Sequence, residues 1–199
     1  MRTAAAVGAA LLAAAGACGP PADRPAERGT AGTAAADTGA FRPLAAGDRA
    51  PAYAAPLVAG PADGVGTTAR VGGPGPVTLV NVWATWCTAC REEMDDLAAL
   101  HRDYAGRGLR VLAVSVDAGG PARVRRFAEE ARLPFAVAHD PDGRVQEQFG
   151  VVGVPASYLV GADGRVRWAY TGNLHGQLGA VRAAIDSALG GAPAARPGA

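Results

Sequence analysis

Two cysteines three positions apart, Cys87 and Cys90, are the residues of this sequence best suited to chemistry. They belong to the segment NVWATWCTACREEM, at 81–94, which follows a run of β-forming residues and opens a helical pattern. At such a strand-to-helix turn, the free amides of the first helical turn and the helix dipole favour the thiolate form of the first cysteine. The spacing and the position together indicate a reactive dithiol.

A structural zinc site is the first alternative for this pair. Such a site needs four ligands, commonly from two cysteine pairs. The chain has three cysteines in all, and its histidines are isolated in the sequence, at 101, 139 and 175. We therefore expect no metal. An inert buried pair is also disfavoured, because the start of a helix at this turn meets solvent.

The composition predicts one packed domain. The chain has 199 residues, of which 49% are hydrophobic and 19% charged, enough for a single hydrophobic core. Its 19 basic and 18 acidic residues nearly cancel, so there is no basic field to attract nucleic acid. We exclude nucleic acid as a partner and expect a monomer.

The N-terminal segment predicts export. One arginine precedes an uncharged apolar stretch that ends at Ala17, too short for a membrane span, and residues 1–17 are predicted to be a signal peptide. The small residues before Cys18 resemble a bacterial lipobox, with Ala15 where leucine is usual, and this predicts a lipidated Cys18. The alternative is ordinary cleavage at an A-x-A-like site. Either way, the domain lies outside the cytoplasm.

The segments 19–40 and 190–199 contain few large apolar side chains, so burial of their side chains cannot offset the entropy cost of ordering them. We expect a lipid-anchored flexible tether over 18–40, a folded domain over 41–189 and a disordered tail over 190–199.

The domain alternates strand and helix signals. Valine- and leucine-rich runs at 77–84 and 109–117 have the character of buried strands and flank an amphipathic helical stretch. A second helix is expected from Pro121, followed by another strand. A β-hairpin over 156–170 and a helix over 174–189 complete the pattern. This order predicts an α/β fold with a mixed sheet.

Several motifs in this order resemble the TlpA/ResA branch of thioredoxin-like proteins. They are GDRAPAY, WCTACREEM, VLAVSVD, GVP and LVGADG, and the resemblance covers about residues 41–188. It implies a thioredoxin-like fold, a mixed central sheet flanked by helices, with the TlpA-type αβ insertion matching the helix at 121–132 and the strand after it. Members of this branch are extracytoplasmic, membrane-tethered thiol-disulfide oxidoreductases, many of them reductants in cytochrome c maturation or copper-site assembly.

The resemblance also implies roles for individual residues. Cys87 matches the exposed nucleophile and Cys90 the resolving thiol. Pro155 matches the cis-proline of the family, which leaves the Val154 backbone free to bind an extended substrate strand; the alternative is a trans proline that begins an edge strand. Trp86 matches a residue that lies beside the dithiol, although a tryptophan there can also belong to the core. Thiol-disulfide exchange of this kind needs no cofactor.

Proton transfer requires a further group. Asn81 stands where thioredoxins proper have a buried carboxylate, and an amide cannot act as a base. Glu93 matches a glutamate of the family pattern, one helical turn beyond Cys90, and is the predicted proton carrier. The alternative is an exposed acid that complements the helix N-terminus.

Two departures from the family pattern concern the active helix. Thr88 and Ala89 lie between the cysteines, where a proline commonly precedes the second cysteine, and Asp95 replaces another usual proline. We expect a less kinked helix for this reason. Because neither intervening residue is cationic or a histidine, the pair is predicted to favour a reductant over a strong oxidant.

Three function classes are open to such a chain. The leading one is an extracytoplasmic thiol-disulfide oxidoreductase that acts on disulfide-containing secreted or membrane proteins and takes electrons from a membrane thiol reductant. A redoxin-type thiol peroxidase would need a lone reactive cysteine in a P-x-x-x-T-x-x-C setting, which is absent around Cys87. A non-catalytic thioredoxin-fold binding module is the third.

Overall fold

The computed structural model of the protein describes residues 42–60 and 67–190. The predicted signal peptide at 1–17, the lipidation site Cys18 and the tether up to residue 40 lie outside these ranges, as does the predicted tail after residue 190. Within the described ranges, no helix combines the length and the apolar character needed to cross a membrane.

In the part of the chain that the structure describes, seven strands form one sheet. These strands are β1 (Tyr53–Ala59), β2 (Thr68–Val71), β3 (Thr78–Trp83), β4 (Arg110–Ser115), β5 (Ala136–His139), β6 (Ala156–Val160) and β7 (Val166–Thr171). They lie in the order β2-β1-β5-β4-β3-β6-β7. Strand β4 is parallel to β3 and β5, whereas the other neighbouring pairs are antiparallel. The predicted mixed sheet is confirmed.

Helices cover the sheet and connect its strands. They are α1 (Thr88–Glu92), α2 (Met94–Tyr104), α3 (Ala122–Glu130), α4 (Arg144–Phe149) and α5 (Leu178–Ala188), with short 3₁₀ turns at Ala105–Arg107 and Leu174–Gln177. The helix and strand of the predicted insertion are α3 and β5, and the predicted hairpin is β6 and β7.

Strand β3 carries the active-site segment and has two buried faces. Val80 and Val82 belong to the core on one side of the sheet. Leu79 and Trp83 belong to the core on the other side, which includes residues of α2 and α5. Because successive residues of a strand point to opposite faces, Asn81 shares the face of Leu79 and Trp83. A polar side chain is thereby directed toward the helices, where it needs a partner.

The active helix is interrupted at Glu93, while the smaller kink expected from the missing prolines stays a prediction. Helix α1 ends at Glu92, and α2 begins at Met94, without a proline at either place. Glu93 has a ψ of −4°, and its side chain points into the core, where two groups donate hydrogen bonds to it. These two hydrogen bonds hold the Glu93 side chain at the point where the helix is interrupted.

Sequence reasoning did not predict β1, β2 or α4. Strand β1 contains Pro56 and three alanines, and most of its residues are only partly buried. Helix α4 has six residues, too few for a periodic signal, and lies between Gly143 and Gly150, both in the left-handed conformation. A side chain at Gly150 would also collide with the carbonyl of Arg42.

Candidate active site

The two cysteines lie at the start of α1 and form a disulfide in this structure. A turn delivers them there, in which the Cys87 N–H donates to the Ala84 carbonyl at 3.1 Å. Cys87 then caps α1, because its Sγ accepts a hydrogen bond from the Cys90 N–H at 3.1 Å. The same N–H is placed to stabilise a thiolate on Cys87 when the disulfide is open.

The two sulfur-bearing residues differ in accessibility. Cys87 retains 9% of its surface exposed, whereas Cys90 is completely buried. An incoming group can therefore reach Cys87 before Cys90, although most of the surface of Cys87, the predicted exposed nucleophile, is buried. Trp86 is 62% exposed, which excludes the alternative that this tryptophan belongs to the core.

The Val154–Pro155 peptide bond lies against the dithiol and is cis. The Val154 carbonyl oxygen is 3.7 Å from the Cys87 Sγ. Pro155 directly precedes β6, the antiparallel neighbour of β3, and the pairing of Val82 with Ala156 brings the two chain segments together. The predicted cis isomer is confirmed, as is the proximity of this segment to Cys87.

Glu93 is completely buried, in contrast to the alternative of an exposed helical acid. Its Oε1 accepts a hydrogen bond from Asn81 Nδ2 at 2.7 Å, and its Oε2 accepts one from the Leu174 backbone N–H at 2.8 Å. Burial raises the pKa of Glu93 to about 7, and the two hydrogen bonds oppose that rise only in part. Such a carboxyl group can exchange a proton near neutral pH.

Asn81 links Glu93 to β6. Its Nδ2 also donates to the Ser157 Oγ at 3.0 Å, while its Oδ1 has no hydrogen-bond partner among the described residues. Both Asn81 and Ser157 are completely buried. Sequence analysis excluded Asn81 as a base but did not anticipate that it would hold the acid.

The segment after β7 closes the site from the other side. Asn173 Nδ2 donates to the Ala89 carbonyl at 3.0 Å, and the ring Nδ1 of His175 lies 3.2 Å from Asp96 Oδ2. These contacts join the segment to α1 and α2 around the bond between Leu174 and Glu93. Within the described ranges, no three metal-ligating side chains come together in a group that could hold a metal ion.

The structure thus brings together the site residues predicted within the domain. Cys87, Cys90 and Glu93 lie along the active helix, with Trp86 before it and the Val154–Pro155 segment facing it. Val152 was not predicted, yet it is 64% exposed, and it and Trp86 are the large hydrophobic residues that remain exposed in the described part of the chain. Its position, three residues before the cis-proline, was the available signal.

Comparison with known proteins places the chain in a family. The family model described as AhpC/TSA matches residues 46–169, and the chain belongs to this family. Thiol-disulfide oxidoreductase ResA of Oceanobacillus iheyensis is 33% identical over 100 residues, 50% of this chain and 52% of that protein. Thiol:disulfide interchange protein CycY of Rhizobium leguminosarum is 38% identical over 119 residues, 58% of this chain and 62% of that protein. The matches span less than two thirds of either relative.

A solved structure shows the same architecture. The crystal structure of a proposed thiol:disulfide interchange protein DsbE from Chlorobium tepidum has a TM-score of 0.64 and 28% identity, and the match covers 73% of this chain and 99% of that one. The thioredoxin-like fold and the resemblance inferred from the sequence motifs are both confirmed.

Proposed function

We propose that the protein is an extracytoplasmic thiol-disulfide oxidoreductase that reduces disulfides in secreted or membrane proteins. The observation that carries this proposal is the geometry of the dithiol, with a partly accessible Cys87 capping α1, a buried Cys90 one turn later, and the Val154 carbonyl against the Cys87 sulfur. The names of the relatives support the same class of activity.

The proposed reaction begins with the reduced dithiol. The Cys87 thiolate attacks one sulfur of a client disulfide, whose S–S bond breaks, and the other client sulfur leaves as a thiolate. Cys90 then loses its proton and attacks the Cys87 sulfur, which breaks the mixed disulfide and releases the second client thiolate. The client gains two electrons, and the protein ends with the bond between Cys87 and Cys90 that the structure contains.

Glu93 is proposed to accept the proton from Cys90. It lies one helical turn beyond that cysteine, and its raised pKa of about 7 allows it to take up and return a proton near neutral pH. Its two hydrogen bonds keep the carboxylate in place during the exchange.

Client proteins are proposed to bind across the exposed apolar surface beside Cys87. Trp86 and Val152 supply this surface, and an extended client strand can pair with the Val154 backbone next to Pro155. Lipidation of Cys18 and the tether over 18–40 would hold the domain in the periplasm or at the outer face of the cytoplasmic membrane, where a membrane thiol reductant returns electrons to it. Cytochrome c maturation is the cellular setting that the resemblance favours.

A trapping experiment tests this assignment. Cys90→Ala should accumulate mixed disulfides between Cys87 and client proteins, because the resolving thiol is missing. Cys87→Ala is the matched control and should trap none. The wild-type protein should reduce insulin and leave hydrogen peroxide unconsumed. Trapping by the Cys87→Ala variant alone would reverse the two roles, and peroxide consumption without insulin reduction would favour the peroxidase.

A further inference from the structure

Asp117 is a buried carboxylate beside the turn that carries Cys87, and the proposed reaction does not use it. It follows β4 by two residues and is 3% exposed. Its Oδ2 accepts hydrogen bonds from the Thr85 N–H at 2.8 Å and the Ser115 Oγ at 2.7 Å, and its Oδ1 accepts one from the Thr85 Oγ1. Among the described residues, no arginine or histidine forms an ion pair with it. The hydrogen bonds alone compensate for its burial.

The backbone of Asp117 is fixed to the sheet as well. Its N–H donates to the Ser115 Oγ at 3.1 Å, and its carbonyl lies 2.9 Å from the His139 Nε2. Ser115 ends β4 and His139 ends β5. The carboxylate is therefore presented by the parallel centre of the sheet.

Thr85 is held from two directions. Asp117 binds its N–H and its hydroxyl group, while Arg91 on α1 donates to its carbonyl at 3.1 Å. Thr85 is one of the two central residues of the turn closed by the Cys87 N–H and the Ala84 carbonyl. The orientation of this residue sets the direction in which the chain enters α1 and the place where the Cys87 sulfur lies.

We propose that Asp117 is a positioning residue, which holds the Thr85 turn so that the Cys87 sulfur stays on the Cys90 N–H and next to the Val154 carbonyl. The inference deepens the proposed function and rests on it. It assigns to Asp117 a geometric effect on the reactivity of Cys87. A geometric effect differs in sign from a purely electrostatic one, because a nearby negative charge disfavours a thiolate and its removal would favour one.

The pH dependence of Cys87 alkylation separates the two effects. The reduced protein is treated with iodoacetamide across a pH series, a reaction that needs no client protein. Asp117→Ala removes the acceptor and the charge, whereas Asp117→Asn removes the charge but can still accept from the Thr85 N–H and donate to its hydroxyl group. Asp140→Ala is the control, since Asp140 is a similarly buried acid that directly follows β5 and accepts a hydrogen bond from the Val145 N–H at 2.7 Å.

We expect Asp117→Ala to move the midpoint of the profile upward by about one pH unit, because the thiolate loses part of its stabilisation at the helix N-terminus. Alkylation below the midpoint should then be about tenfold slower. Asp117→Asn and Asp140→Ala should stay close to the wild type. A midpoint that is unchanged or lower in Asp117→Ala, or equally raised in Asp140→Ala, would overturn the proposal.

A second variant decides the matter if Asp117→Ala does not fold. Thr85→Val removes only the hydroxyl donor and keeps the charge of Asp117, so a smaller upward shift supports positioning, and an unchanged or lower midpoint contradicts it. The proposed function is tested separately, by insulin reduction with the wild-type protein. Failure there with the alkylation pattern intact would refute the oxidoreductase assignment and leave the positioning of Cys87 standing.

Discussion

Replacing Glu93 by glutamine removes a buried charge and keeps the shape of the side chain. Burial raises the pKa of Glu93 to about 7, compared with 4.5 for an ordinary glutamate. The folded protein thus binds this proton more tightly than the unfolded chain, so the free energy of unfolding falls as the pH rises from about 4.5 to about 7. One pKa unit corresponds to about 1.36 kcal/mol, so the full loss above pH 7 is about 3 kcal/mol. Glu93→Gln has no titratable group at this position, so its free energy of unfolding lacks this pH-dependent loss.

Urea unfolding of the oxidised protein at several pH values measures this effect. The stability of Glu93→Gln relative to wild type should increase by about 3 kcal/mol between the acidic and the basic end of the window. Glu92→Gln is the control, since Glu92 is the neighbouring residue and is exposed. The free energy of unfolding of this variant should follow the same pH dependence as that of the wild type. Parallel pH curves for Glu93→Gln and wild type would refute the argument that a buried carboxyl group is held there at raised pKa.

The same variant tests the proton-transfer role in a separate assay. Without an acceptor for the Cys90 proton, insulin reduction should slow by about 10²- to 10⁴-fold if this step limits the rate. A gain in stability with normal turnover would leave Glu93 as a buried acid and assign proton transfer to another group.

Two further predictions concern the surface and the anchor. Trp86→Ser and Val152→Ser should each raise the KM for a protein disulfide by about tenfold, through lost apolar contact, and leave iodoacetamide labelling of Cys87 unchanged; an unaltered KM in steady-state assays would place the client elsewhere. Cys18→Ser should release the protein from the membrane fraction of cells with its thiol reactivity intact, and retention in that fraction would indicate an uncleaved N-terminal anchor.

The elements with strong periodicity were predictable from the sequence, and the contacts across the sheet were not. Strands β3 and β4 consist mainly of apolar residues, so their burial and the place of Cys87 after β3 follow from local pattern. The burial of Glu93 depends on which face of β3 carries Asn81, and a helical acid near an N-terminus has the same sequence signature whether it is exposed or buried. A polar residue inside a fully buried strand was the available signal, because such a residue needs a partner.

The same limit applies to Asp117. Its contact with Thr85 requires the parallel register in which Trp83 pairs with Ser115, and a register between strands separated by a helix is not encoded locally. The cis-proline, by contrast, was predictable only because the motif around Pro155 resembles a known family; the residues alone favoured the trans form.

One of the two hydrogen bonds to Glu93 comes from the backbone of Leu174 rather than from a side chain. Every amino acid except proline carries that N–H, so point mutations at position 174 can alter packing but almost none can delete the bond. The bond from Asn81, on the other hand, is lost with a single unfavourable codon change. The two hydrogen bonds to the carboxylate therefore differ in mutational robustness. The backbone bond is available to almost every residue type at position 174, whereas the side-chain bond depends on selection for asparagine at position 81.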